Sequence, residues 1–437
     1  MLGPGPGNYL IPEDPDPGDE DGGGDRWMKG WVYVVIGWSG LLVGIIYCRV
    51  SIVYTPAVTY KHKTMEMMRL ALLLCLANQA MPRPVREPRD LPQDTNDLDL
   101  GPTVFEVIET ANKDISVLLK EGDIAINLHH SARICKTCLW SKNKDGTVQV
   151  PYVIDPQYSP SDKSMINEAL KEFEVMTCVQ FVNRNSESDY LYIQSGSGCW
   201  SYIGKIFGKQ TVSLESQSCM VYGVIQHEAM HNIGFFHEHS RTDRDDYVDI
   251  LWDNIEPDGT SNFKIVDSNS LNLPYDYTSV MHYHMYAFSL KDDLPTIVPK
   301  PDPVAPIGQR SGMSNLDVMK INALYNCNLC RKKLMETSGS FSGNSSFTNQ
   351  YGGNCLWLIQ VLKRKILLQV DYLRISSPGY IRVYDGVTKS SRVLLEKTSG
   401  GGHLRPMVSS GHNMLVEFVT TASSKFSEFD VSYNTVT

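Results

Sequence analysis

The 437-residue chain lacks a surplus of positive charge, since 40 Lys and Arg stand against 49 Asp and Glu for a net of −9. Nucleic-acid backbones are bound by cationic surfaces that displace counterions, so that class of partner is excluded. Internal repeats are missing, and with them the solenoid architectures. Helical periodicity stops at Cys330. Beyond it come CLWLIQV, ILLQVDYLRI, YIRVYDG, MLVEFVT and FDVSY, short alternating runs bounded by Gly, Ser, Asn or Pro, which predict a β-sandwich over 330–437. That segment departs from the overall charge: residues 331–437 hold 13 Lys/Arg and 7 Asp/Glu, a local net of +6 from 13 − 7, which reads as a solvated basic face able to attract acidic glycans.

What is present begins with length, which at roughly 100–200 residues per domain predicts two or three domains. Ten cysteines, too dispersed for one metal cluster, read as disulfide partners and place the chain in an oxidising, extracellular compartment. Cys48 and Cys75 fall in N-terminal apolar segments, leaving Cys135, Cys138, Cys178, Cys199, Cys219, Cys327, Cys330 and Cys355. Eight cysteines allow about 105 pairings and spacing does not choose among them. The pairs Cys135/Cys138 and Cys327/Cys330 lie too far apart for a zinc ribbon.

Residues 1–26 are Gly-, Pro- and acid-rich and offer no core. An uncharged stretch follows, WVYVVIGWSGLLVGIIYC, long enough to cross a bilayer. The Lys and Arg after it (Arg49, Lys61, Lys63, Arg69) would leave the cysteine-rich remainder in the cytosol, against the disulfide reading. MEMMR followed by LALLLCLA and small residues up to Ala80 has the layout of a signal peptide over 65–80. Residues 1–64 are then an extension absent from the secreted protein, with a membrane contact only if 31–47 form a real anchor. Residues 81–130, Pro-rich, then acidic, then mildly amphipathic through VFEVIETANKDISVLLKEGDI, read as a prosegment. Residues 131–327 mix strand runs (TVQVPYVI, YLYIQ) with helical ones (SMINEALKEFEVM), predicting an α+β domain.

The chemistry concentrates in VYGVIQHEAMHNIGFFHEHSRTDRDDYV, residues 221–248. On a helix His227 and His231 face the same way and grip one metal ion, with Glu228 beside them. Gly234 lets the chain leave the helix and return His237 as a third ligand. Three protein ligands leave a coordination position for water, the mark of a catalytic rather than a structural zinc.

HExxHxxGxxH continued by HEHSRTDRD resembles the astacin family of zinc endopeptidases, and the resemblance is strongest over 121–327. It implies a zincin/metzincin catalytic domain with one zinc ion, Glu228 as general base and an extended protein substrate along an edge strand. In YDYTSVMHY it implies that Met281 floors the metal site and that Tyr283 is a mobile fifth ligand that steadies the oxyanion. It also implies Cys178–Cys327, Cys199–Cys219 and Cys135–Cys138 disulfides, and Asp123 of Glu121-Gly122-Asp123 as a zinc ligand in the zymogen only. Family members bury the new amino terminus against the residue matching Glu238. Activation in the family follows an Arg, whereas the matching place here reads His129-His130-Ser131-Ala132, so cleavage at Arg133 or by another class of protease is expected. RICKTCLW and PTIVPKPDPVAPIGQR are similar to the hatching-enzyme branch, which implies egg-envelope glycoproteins as substrates. Growth-factor or matrix processing, and a non-catalytic egg-coat adhesion role, stand as the other readings.

Cys330, Cys355-Leu-Trp, VYDG and FDVSY resemble a CUB module with a Cys330–Cys355 bridge and without a second disulfide. Asp385 has no later acidic partner in TTASS, so calcium is not expected there. Asn344-Ser-Ser is an N-glycosylation sequon on a predicted loop.

Overall fold

The structure, a computed structural model, describes residues 101–126, 138–291, 294–421, 423–424 and 426–437. The expected extension 1–64, signal peptide 65–80, activation segment around His130 and Arg133, and Cys135 with its bridge to Cys138 lie outside the described residues.

Helix α1 (Val104–Asn112) starts in a capping box. Thr103 accepts from Glu106 N at 3.2 Å, and the Glu106 carboxylate accepts from Thr103 N at 2.6 Å. Its spacing turns Val104, Phe105 and Ile108 to one buried face. The next segment folds as a small hairpin, β1 (Leu119–Lys120) against β2 (Ile124–Ala125), around Glu121-Gly122-Asp123.

The first domain is built on a five-stranded sheet of β3 (Val148–Ile154), β4 (Val179–Asn183), β5 (Tyr190–Gln194), β6 (Cys199–Trp200) and β7 (Lys209–Leu214), in the order β4-β3-β5-β7-β6. All pairs are parallel except β6 with β7, which puts a short antiparallel strand at one edge. Helix α2 (Pro160–Met176) begins at Ser159, whose side chain accepts from Asp162 N, with Pro160 at the position where a missing N–H costs nothing. It buries Ile166, Ala169, Leu170 and Phe173 in the core that α3 (Tyr222–Asn232) also enters. Helix α3 is buried from Gly223 to Asn232. The pair β8 (Val248–Ile250) and β9 (Ile297–Pro299) and the helix α4 (Asn315–Leu324), capped by a Ser314/Asp317 box, complete the domain.

The C-terminal domain is the expected sandwich. One sheet orders β10 (Cys330–Leu334), β12 (Asn354–Gln360), β18 (Asn413–Val419), β14 (Tyr380–Asp385) and β15 (Arg392–Thr398) as β10-β12-β18-β14-β15. The other runs β11 (Ser338–Asn344), β19 (Glu428–Val436), β13 (Lys365–Ile375) and β16 (Gly400–Gly401), with β17 (Met407–Val408) also on β13, and the short α5 (Ser345–Gln350) joins β11 to β12. Alternation along β12 sends Cys355, Trp357 and Ile359 into the sandwich. Leu356 and Leu358 point the other way and, with Tyr384 and Leu415, meet Val175 and Met176 of α2 and Val318 of α4. The sandwich is therefore buried on both faces of one sheet, a three-layer arrangement with the helices of the first domain.

Three of the expected disulfides are present: Cys178–Cys327, Cys199–Cys219 and Cys330–Cys355, with Cα separations of 5.5, 5.7 and 4.6 Å.

Candidate metal centre

On α3, His227 and His231 sit one turn apart with Glu228 between them in sequence. The helix stops where Gly234 takes φ 105°, a conformation that resists any side chain, and its N–H donates to His231 O at 2.9 Å. The chain then doubles back and delivers His237. The three imidazole centroids lie 4.8, 4.8 and 5.1 Å apart. Each Nδ1 has an acceptor outside the cluster: Val280 O at 2.8 Å for His227, Phe235 O at 2.7 Å for His231 and the Glu121 carboxylate at 3.0 Å for His237. With each Nδ1 turned outward to an acceptor, the three Nε2 atoms face inward as the candidate ligating atoms.

They converge on Asp123. Its carboxylate lies 2.9 Å from His227 Nε2, 3.4 Å from His231 Nε2 and 3.2 Å from His237 Nε2. The four donor atoms are all within 4.8 Å of one another and all four residues are buried. His231 Nε2, Asp123 Oδ1 and both Glu228 oxygens have no hydrogen-bond partner there. Buried polar atoms are ordinarily satisfied, and three imidazoles with one carboxylate form the donor set that zinc takes in tetrahedral sites. The residues fit a zinc ion.

The electrostatics agree. Burial raises Asp123, yet the charges of His237 and His231 and the His227 hydrogen bond hold it well below the usual carboxylate range. Burial brings His227 down to about 4, so it is neutral and able to ligate. Burial also lowers His237, but the Asp123 and Glu121 carboxylates outweigh it and push that ring up to about 9. In the absence of a cation a proton holds those carboxylates together, which is the charge a metal would supply. Burial, then the Asp123 charge, drive Glu228 well above its usual range.

Residues 137–326 match the astacin peptidase family, and residues 330–433 match the CUB domain. The chain is 45% identical over 338 residues to the astacin-like metalloendopeptidase of Gallus gallus, covering 76% of this chain and 82% of that one. It is 44% identical over 222 residues to high choriolytic enzyme 1 of Oryzias latipes, covering 50% of this chain and 82% of the relative. The solved structure of that hatching enzyme zinc-protease aligns with 46% identity and a TM-score of 0.43, covering 44% of this chain and 96% of it. The chain belongs to the astacin family. It is a zinc metalloendopeptidase with one zinc ion per catalytic domain and a single CUB domain.

Around the metal site, this astacin places Met281 in the core, with its carbonyl accepting from Glu238 N at 2.9 Å. Tyr283 is buried, and its hydroxyl donates to Glu121 O at 2.6 Å. Phe105 of α1 stacks on the Tyr283 ring at 3.7 Å, with His239 at 3.7 Å from the same ring. Gly122, at φ 80°, lies so close to Phe288 and Phe105 that a Cβ would stand 2.9 Å from one and 3.1 Å from the other. That close approach is what lets Asp123 reach the imidazoles. Beyond it the chain runs along the sheet edge: Ala125 N donates to Ser201 O at 2.8 Å and Ser201 N to Asp123 O at 3.0 Å.

Glu238 is paired within the domain, accepting from Lys320 Nζ at 2.6 Å, Arg241 at 3.1 Å and Asp276 N at 2.9 Å. The roles of Glu121, Phe105 and Lys320 escape sequence reasoning. Phe105 has a local signal as a buried position, the Thr-x-x-Glu box at 103–106 and the apolar spacing behind it, but nothing in sequence assigns the contacts of Glu121, and Lys320 shows only a lysine on a helix. Asn344 is exposed and its Oδ1 accepts from Phe347 N at 2.9 Å, capping α5. Among the described residues no helix is long and apolar enough to cross a membrane.

Proposed function

We propose that this chain is a secreted zymogen whose segment 101–126 blocks its own cleft, and that the released enzyme digests egg-envelope proteins. The observation that carries the latency reading is Asp123 seated among three imidazoles while its neighbours hydrogen-bond the sheet edge. Bound zinc supplies Lewis acidity toward a peptide carbonyl and lowers the pKa of a water molecule. Glu228 takes that water's proton and hands it to the departing amine. Its two unpartnered oxygens are free to do so, and departure of Asp123 removes the second, after burial, of the two causes that hold its pKa up. Tyr283, released from Glu121 O, donates its hydroxyl to the oxygen that gains charge as the carbonyl is attacked. Met281 supports the rings from below, and substrate lies extended beside β6 in the place that residues 123–125 now hold.

Secretion is supported by the three disulfides and by the extracellular sandwich. Glycosylation at Asn344 accords with its exposure. The egg-envelope assignment rests on the names of relatives, choriolytic enzyme and hatching enzyme zinc-protease. Full-length protein with its prosegment removed is incubated with egg-envelope proteins and with procollagen, and new termini are mapped by mass spectrometry. New termini confined to envelope proteins are expected. Termini in procollagen alone would establish the matrix reading instead, and none above a Glu228→Ala control would leave only an adhesion role.

A further inference from the structure

The peptidase and CUB domains are joined through more than the apolar seam between α2, α4 and the outer sheet face. At its margin Lys333 of β10 meets Glu172 of α2 at 2.7 Å, and both side chains are 0% exposed. Charges so placed persist only where their remaining polar atoms are also satisfied. The other Glu172 oxygen accepts from the Tyr222 hydroxyl at 2.8 Å. Tyr222 is the first residue of α3, five positions before His227. A single carboxylate thus connects a CUB strand to the helix that carries His227, Glu228 and His231. Two further bonds fix the same strand: Lys333 N donates to Asn315 Oδ1 at the head of α4 at 2.9 Å, and Arg331 Nε donates to Val175 O at 3.0 Å.

We propose that the CUB sandwich is a fixed third layer of the peptidase, and that Lys333, acting through Glu172 and Tyr222, is a positioning residue for the metal helix. Loss of the ammonium leaves a buried carboxylate with a phenol as its hydrogen-bond partner. The carboxylate then draws in water or pulls on Tyr222, and either response moves the first turn of α3. Because α3 supplies two imidazoles and the general base, small displacements there act on turnover more than on substrate binding.

The test uses the full chain after removal of its prosegment, with a fluorogenic peptide too short to reach the CUB domain. Lys333→Met and Glu172→Gln are each expected to lower kcat roughly tenfold with KM unchanged. The double variant, in which neither buried charge remains and the side-chain amide introduced in place of Glu172 still accepts from Tyr222, is expected to recover most of the loss. Tyr222→Phe keeps the ion pair and is expected to lower kcat and speed hydrogen exchange at residues 223–226 while the seam stays protected. Wild-type kcat in Lys333→Met, or a double variant no better than Lys333→Met, overturns the proposal. Where the charge variants do not fold, Tyr222→Phe decides, and its wild-type kcat and exchange would overturn it equally. The kinetic arm rests on the peptidase reading and the exchange arm does not, so failure of one is distinguishable from failure of the other.

Discussion

The metal cleft and the domain seam both bury charge completely, but they treat it in opposite ways. At the seam, Glu172 has a partner for each oxygen, Lys333 on one and Tyr222 on the other. In the cleft, Glu228 has none for either oxygen, and His231 Nε2 and Asp123 Oδ1 face each other at 3.4 Å without forming a hydrogen bond. Desolvating an ionisable group is costly in either place. Where the partners are all present the charge is architecture, and where they are missing the fold is holding groups ready for a cation, a water molecule or a substrate.

That contrast is broken most directly at Glu228. Glu228→Ala is expected to cut kcat/KM by about 10²–10⁴-fold while zinc content by metal analysis and the melting temperature stay at or above wild type, because the proposed base is not a structural member. The seam should give the reverse pattern. Leu358→Ala opens a cavity between the sheet and the helices, where the side chain is 0% exposed, and should cost about 2–5 kcal/mol in denaturant unfolding. A smaller effect is expected from replacing Cys199 and Cys219 by serine. Their bridge spans 20 residues beside the cleft edge, and its loss should lower stability by about 3 kcal/mol if chain entropy dominates. The smallest is Thr103→Ala, which removes the α1 cap and weakens the segment proposed above to block the cleft by about 1 kcal/mol. The expected readout is earlier appearance of peptidase activity during activation, with the mature enzyme unchanged.

Much of the centre is legible in sequence because its geometry is local. His227, Glu228 and His231 share a helix face, and the glycine at 234 turns the chain so that His237 returns, so spacing alone encodes the constellation. The sandwich strands β13 and β19 are legible for the same reason, since alternation is a property of adjacent residues, whereas β18 is buried continuously from Met414 to Phe418 and does not keep the alternation expected of MLVEFVT. The seam is not legible. The pattern SMINEALKEFEVM announces helix α2, but nothing marks Glu172 as a buried anion, since its partner Lys333 is 161 positions away. In β12 the run CLWLIQ carries a further signal: apolar residues on both alternating faces announce a strand covered on both sides. Glu121 and Phe105 escape for another reason, because their roles depend on how a separate segment lies in the cleft.

Cys327 closes the catalytic domain and Cys330 closes the CUB domain, so only Asn328 and Leu329 lie between two covalently fastened points. There is no tether to swing on. Anything gripped by the sandwich is held at one constant reach from the scissile position, as on a ruler, and a large insoluble substrate should accordingly be cut at a restricted set of distances from whatever feature the CUB domain holds.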